Sequence, residues 1–164
     1  MSYVGSYLWS VRQSVGSRLL LVPGAQVVVV DELGRVLFQR RADTGLWEFP
    51  AGACEEGSSF ASTAAQELAE ETGLRVDVAD LRAFGCLSDP GVHVVRYPNG
   101  DVTHCFAMCF EARRWAGDLA LEAGEVTEAV FANPAEPPGP LHGPTVAVLT
   151  MHRRYRDTGE FQTN

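Results

Sequence analysis

The segment from Gly52 to Leu74 constrains this chain more than any other. Ala64, Ala65, Glu67, Leu68, Ala69, Glu70 and Glu71 are all good helix formers. Gly73 follows where a helix-ending glycine belongs. At about 3.6 residues per turn, Glu67, Glu70 and Glu71 stand at i, i+3 and i+4, so the spacing puts three carboxylates on one helical face. Ala61, Ala65, Leu68 and Thr72 take a neighbouring face suited to packing on a core.

Acids crowded on one turn repel one another. A solvated acidic face is one reading of them, and a divalent-cation site is the other. No lysine or arginine is interleaved with the three acids, so no ion pair along the helix relieves the repulsion. A glycine-bearing loop leads into the helix, and glycine lets backbone approach a ligand closely. Hard oxygen donors at this spacing suit Mg²⁺ or Mn²⁺.

These residues carry a family likeness. The stretch resembles the Nudix box of the Nudix hydrolases: Gly, five residues, Glu, seven residues, then Arg-Glu-U-x-Glu-Glu-x-Gly-U, with U a bulky aliphatic. Gly52, Glu67, Leu68, Glu70, Glu71, Gly73 and Leu74 fall in register. The approach Gly45-Leu46-Trp47-Glu48-Phe49-Pro50-Ala51-Gly52 is similar to the family's lead-in, with Ala51 for a glycine. The run Gly34-Arg35-Val36-Leu37-Phe38-Gln39-Arg40-Arg41 is also typical of it. Two positions depart: Ser58 stands for the box's first Glu and Gln66 for its Arg. In the family that pair braces the carboxylates, so its loss bears on how firmly Glu67 is oriented. A hydrogen bond or bridging water between Ser58 and Gln66 is the expected substitute, and Glu55 or Glu56 is a candidate for the missing carboxylate.

The resemblance implies a Nudix-type α/β/α sandwich with a mixed central sheet. It implies Mg²⁺ (or Mn²⁺) held by Glu67, Glu70, Glu71 and the carbonyl of Gly52. It implies hydrolysis of a pyrophosphate link in a nucleoside diphosphate joined to another group, with Glu67 or Glu71 as the base or as the residue that orients the water. Family members often place an arginine near the cleft where Arg41 stands, and a phosphate contact and a surface ion pair both remain open for it. Glu125 is the first candidate for the further carboxylate that family members bring from outside the box; a surface acid is its other reading.

Composition narrows the rest. The chain has 164 residues, 46% hydrophobic and 21% charged, which fits one domain with a buried core. We read residues 1–22 as an N-terminal helical extension and 133–164 as a proline-rich linker plus a helix. The formal charge of −8 argues against a nucleic-acid polymer as partner, while leaving a small nucleotide open if a cation bridges it. All 13 basic residues are arginine, which excludes lysine Schiff-base chemistry. Four scattered cysteines without a C-x-x-C pair fit reduced thiols in a cytoplasmic protein. No charged-then-apolar leader begins the sequence, and no apolar run nears the about 20 residues that cross a bilayer. A homodimer is plausible from the resemblance alone.

Along the chain, Tyr3, Val4, Tyr7, Leu8, Val11 and Val15 suggest an amphipathic helix. Pro23-Gly24 reads as a break, Ala25 to Val30 as a buried strand, and Val36 to Arg41 as its hairpin return after an Asp31–Gly34 turn. Trp47 reads as a packing anchor, with a ligand contact the alternative. Leu81 to Leu87, Val92 to Tyr97, Val102 to Glu111 and Val126 to Ala132 read as strands. The turn Pro98–Asp101 is the first place to seek base or sugar contacts, and His93 and His104 read as structural or rim histidines. Pro144 starts a final helix that runs to about Arg156. Two other functions stay open: a Nudix-fold module that binds without turnover, and a structural domain with solvated acids.

Overall fold

The computed structural model describes residues 4–97 and 99–164, so Tyr3 and Pro98 lie outside the described residues. Helix α1 spans Tyr7–Val15, capped by the Ser6 side chain accepting from the Trp9 N–H. Its orientation differs from the amphipathic expectation. Val4, Tyr7 and Val15 are exposed, whereas the buried residue is Arg12. The helix turns a polar face inward because it lies over a cleft rather than on the core.

Strand β1 is Leu20–Val29, so the helical extension ends well before residue 22 and Pro23-Gly24 lies inside a strand. The Pro23 carbonyl accepts from the Cys54 N–H at 2.9 Å, and the neighbouring strand β4, Ala51–Ala53, ends opposite Gly24. A missing N–H at Pro23 therefore costs the ladder nothing. β1 runs antiparallel to β4 on one edge and parallel to β7, Val102–Ala112, on the other. With both edges taken, β1 cannot also pair with β2, Val36–Arg41. The expected hairpin is reduced to one bridge, Val30 to Val36. The turn itself forms, with the Gly34 N–H donating to the Asp31 carbonyl.

β2 instead sits in a second, antiparallel sheet between β3, Trp47–Glu48, and β8, Val126–Ala132. In the larger mixed sheet, β7 also pairs with β5, Leu81–Leu87, and, farther along the same edge, with β6, Val94–Arg96. Residues Pro90–His93 form a short helix, α3, so the strand expected from Val92 begins only at Val94. Asp89 caps it through the Gly91 N–H at 2.7 Å and Pro90 starts it, so the residues read as turn formers act as a helix start. The C-terminal strand β9, Gln162–Thr163, extends β5.

Helix α2, Phe60–Thr72, packs on one face of the mixed sheet and α4, Gly143–Thr158, on the other. Ala64 and Leu68 meet Ala25, Val27, Val29 and Phe110. Val148 and Met151 meet Val28, Phe38, Phe49 and Phe84. The expected α/β/α sandwich is thus present, with Val27, Val28 and Val29 of β1 buried on both faces, as a run of valines in a covered strand requires.

On the α4 side, His152 Nε2 lies 2.6 Å from Glu111 Oε2, and Arg113 Nε donates to Glu111 Oε1 at 2.7 Å. Burial works to raise the Glu111 pKa, but these partners outweigh it and hold it down at about 2, from 4.5. A carboxyl with a depressed folded pKa stabilises the fold above 4.5 and loses that contribution as pH falls toward 2. We expect His152→Leu to lower stability by about 3–5 kcal/mol at neutral pH. Urea titrations across an acid pH series should show that deficit shrinking below pH 4.5 as Glu111 protonates.

Candidate active site

The site is built where α2 meets the short strand β4. Ser59 caps α2 by accepting from the Ser62 N–H, and Gly73 ends it in the left-handed conformation, φ 78°. Between these ends the helix sets Glu67 directly on Gly52: a methyl group built on Gly52 would overlap the Glu67 carboxylate. On the next layer, a methyl at Gly24 would come within 2.7 Å of the Gly52 carbonyl oxygen. Gly24 and Gly52 are therefore bare so that β1, β4 and α2 can close on one another.

A cleft of about 390 Å³ opens over this contact. Gly52, Glu67, Glu71, Arg41 and Glu125 all line it, so five of the six residues singled out from sequence are brought together. Glu70 is the exception. It does not line the cleft, and its Oε1 accepts from Gln66 Nε2 at 2.9 Å. Glu71 is buried, 6% exposed, and its Oε2 accepts from the Ala51 N–H at 3.0 Å. The Gly52 carbonyl oxygen lies against Gly24.

Electrostatically the cleft is under load. Burial raises the Glu67 pKa to about 7, and the charges of Glu70, Glu125 and Glu122 add to it. Burial, then Glu48, pushes Glu71 well above the usual carboxylate range. Burial, then Glu122, also raises Glu125. Glu122 was passed over in favour of Glu125, yet its Oε2 is buried with no hydrogen-bond partner. Its signal in the sequence was the spacing Glu122, Glu125 just before β8, which allows two acids to reach one place.

Arg41 lines the cleft and is also ion-paired. Nη1 donates to both Glu48 oxygens at 2.9 and 3.1 Å, while Nε and Nη2 donate to Asp43 at 2.8 Å each. Burial opposes its charge, but Asp43 and Glu48 hold the guanidinium firmly protonated. Glu48, which the sequence reading used only as part of a motif, is thus a buried wall of the cleft and also meets His142 Nδ1 at 3.3 Å.

No hydrogen bond joins Ser58 to Gln66. The Ser58 N–H donates to the Glu55 carbonyl, and Gln66 turns to Glu70 instead. A serine side chain is too short to replace a glutamate across the loop. Glu55 lines the cleft with its Oε2 accepting from the Tyr7 N–H at 2.8 Å, whereas Glu56 is exposed and does not line it. Trp47 packs against the core beneath α4, as the packing reading had it. His104 is turned to the Ser88 carbonyl, 2.8 Å, and stacks on Phe106. The turn before β7 does reach the cleft, through Tyr97, Asn99 and Asp101.

Among the described residues, no three His, Cys, Asp or Glu side chains already stand in metal-binding geometry. The donor set nevertheless fits a divalent cation. Glu67 and Glu71 are hard oxygen donors that line one cleft and repel each other, and Glu122, whose Oε2 has no hydrogen-bond partner, adds its charge against Glu67.

A family profile described as the NUDIX domain matches residues 20–150. The chain therefore belongs to the Nudix family. It is 50% identical over 54 residues to a MutT-like protein of Streptomyces ambofaciens, covering 33% of this chain and 35% of that protein. It is 31% identical over 95 residues to an RNA pyrophosphohydrolase of Pseudomonas aeruginosa, covering 57% of each. In fold it resembles the crystal structure of a MutT NUDIX hydrolase from Burkholderia pseudomallei, with TM-score 0.62 and 20% identity over 80% of this chain and 98% of that one. The chain thus spans well under two thirds of the length of these two sequence relatives. No helix among the described residues is long and apolar enough to cross a membrane.

A carboxyl with a raised folded pKa stabilises the fold while protonated and loses that contribution as pH rises from 4.5 through about 7. In chelator, the melting temperature should fall across that window, and Glu67→Gln should flatten the fall. Gly52→Ala should cost about 1–3 kcal/mol by overpacking. It should also displace Glu67, read as a changed carboxyl titration near pH 7 by carbon-detected NMR.

Proposed function

We propose that this chain is a divalent-metal-dependent hydrolase that cleaves the pyrophosphate bond of a nucleoside diphosphate linked to another group. Nucleoside triphosphates and nucleotide sugars such as ADP-ribose are the candidate substrates, and small nucleotides are favoured over polymers. One observation carries the reading: Glu67 and Glu71 face one cleft at the Gly52 contact, with Glu125 beside them and acids outnumbering cations.

Glu67 and Glu71 would hold Mg²⁺ or Mn²⁺, with Glu70 joining if it gives up Gln66 and Gly52 joining if its carbonyl turns from Gly24. Bound there, the ion would neutralise the diphosphate and lower the pKa of a coordinated water. Glu67 would orient that water or take its proton, which suits a carboxyl poised near 7. Glu71, fixed by the Ala51 N–H, is the more rigid of the two and suits ligation. Glu125 would be the further carboxylate near that water. Arg41 stays fastened to Asp43 and Glu48, and meets a phosphate only by exchanging one of those bonds.

The unbraced Ser58–Gln66 position supports a second reading, a module that binds nucleotide with little turnover. A panel of nucleotides incubated with Mg²⁺, with products resolved by chromatography, tests both. Under the first reading Glu67→Gln lowers kcat by about a hundredfold or more. Ser58→Glu combined with Gln66→Arg should raise kcat if bracing limits the rate. Binding without products from any nucleotide selects the second reading.

A further inference from the structure

Helix α1 precedes residues 20–150, the stretch that the family profile matches, and yet it forms part of the cleft. Ser6, Leu8 and Arg12 line the same cavity as Glu67 and Glu71. A smaller pocket of about 130 Å³ continues inward from it, and the two share Leu8, Glu48, Gly52, Tyr97 and Thr103. Leu8 is the α1 side chain found in both, so it stands at their junction. The inner pocket ends on Phe49, Ala107 and Thr145, all buried. Its wall mixes apolar side chains with polar ones, among them His93, whose Nδ1 is buried without a hydrogen-bond partner.

The helix is fastened at two places. At its start, the Tyr7 N–H donates to Glu55 Oε2 at 2.8 Å, on the loop that leads into α2. Farther along, Arg12 is 6% exposed and reaches across to the turn before β7. Its Nη2 donates to the Val102 carbonyl at 2.7 Å, its Nη1 donates to the Gly16 carbonyl at 2.9 Å and to the Arg18 carbonyl, and its Nε faces Asp101 at 3.7 Å. A buried arginine spent on backbone carbonyls of separate segments is a clamp: losing it strands several acceptors. Acids line the cleft around the clamp, Asp43, Glu55 and Asp101 among them.

Taking the hydrolase reading as its basis, we propose that α1 is the substrate-selecting wall of this site. With phosphates at the Glu67 end, a nucleoside lies toward the inner pocket and against Leu8. A polynucleotide 5′ end carries further residues beyond its first nucleoside. Those residues would have to pass Leu8 and α1, which the Arg12 clamp holds against the cleft. The acidic rim adds repulsion against each further phosphate. Leu8 is then a substrate contact and Arg12 a positioning residue. The selected class is the free mononucleotide or nucleotide sugar.

The full chain with Mg²⁺ should be assayed on a nucleoside triphosphate and on a short 5′-triphosphorylated RNA. The unaltered chain should prefer the mononucleotide. Arg12→Gln and Leu8→Ala should each narrow the ratio of the two kcat/KM values by about tenfold. For Arg12→Gln the narrowing should come through KM rather than kcat. Arg12→Lys, which keeps donors for the carbonyls, should restore most of the ratio. Equal ratios in all variants, or a preference for RNA in the unaltered chain, would overturn the wall. Hydrogen exchange on the unaltered chain supplies a readout independent of turnover and of variant folding. A methylene-bridged nucleoside triphosphate analogue with Mn²⁺ should slow exchange at residues 7–15. If neither substrate is cleaved, the hydrolase reading fails, and exchange alone decides the wall: slowed amides in α1 keep it, and unmoved amides sink it.

Discussion

The contact between the Glu67 carboxylate and the bare α-carbon of Gly52 governs this molecule's chemistry. It exists because two glycines, Gly24 and Gly52, let three backbone layers approach within the space a methyl group would need. The consequence is electrostatic. A carboxylate pressed on backbone loses hydration, and Glu70, Glu125 and Glu122 repel what charge it keeps. The fold thus holds an acid near neutrality, about 7, in the one cleft where Glu71 and Glu125 also open. A cation entering there would relieve burial and repulsion together, which is why donor chemistry and strain point the same way.

Much of this was legible in the sequence, and the reasons are local. The Gly73 stop and the serine start bound α2 through backbone geometry that side chains announce. Helical spacing put Glu67, Glu70 and Glu71 on one face. Spacing does not say how the helix is rolled against its sheet. Ala64, Leu68 and Thr72 set that roll, which buries Glu71 and swings Glu70 out to Gln66. The misreadings share a cause as well. Pro23 looks like a break until β4 is seen to end opposite Gly24, and Val36–Arg41 looks like a hairpin return until β4 and β7 claim both edges of β1. Partners distant in sequence decided each case, and period or propensity carries no information about them.

Arg12 is the clearest instance. The apolar spacing of α1 is genuine, but Val4, Tyr7 and Val15 face outward, and the residue least expected inside is buried. An amphipathic pattern says that two faces differ. It does not say which one a cleft rather than a core will take. Glu48 escaped notice for a related reason, since a lone acid in a short strand has no periodic signature.

The two cleft arginines divide the work of controlling charge. Arg41 is already answered by Asp43 and Glu48, so it contributes little free positive potential to an incoming diphosphate. Arg12 spends its donors on carbonyls and thereby holds a helix in place. The two guanidiniums offset only part of the cleft's acids, and a bare polyphosphate would meet a repulsive field. Affinity for an anion must then enter with the anion's own counter-ion. Under the proposed function, the metal–nucleotide complex, rather than the bare nucleotide, would be the species this cleft admits.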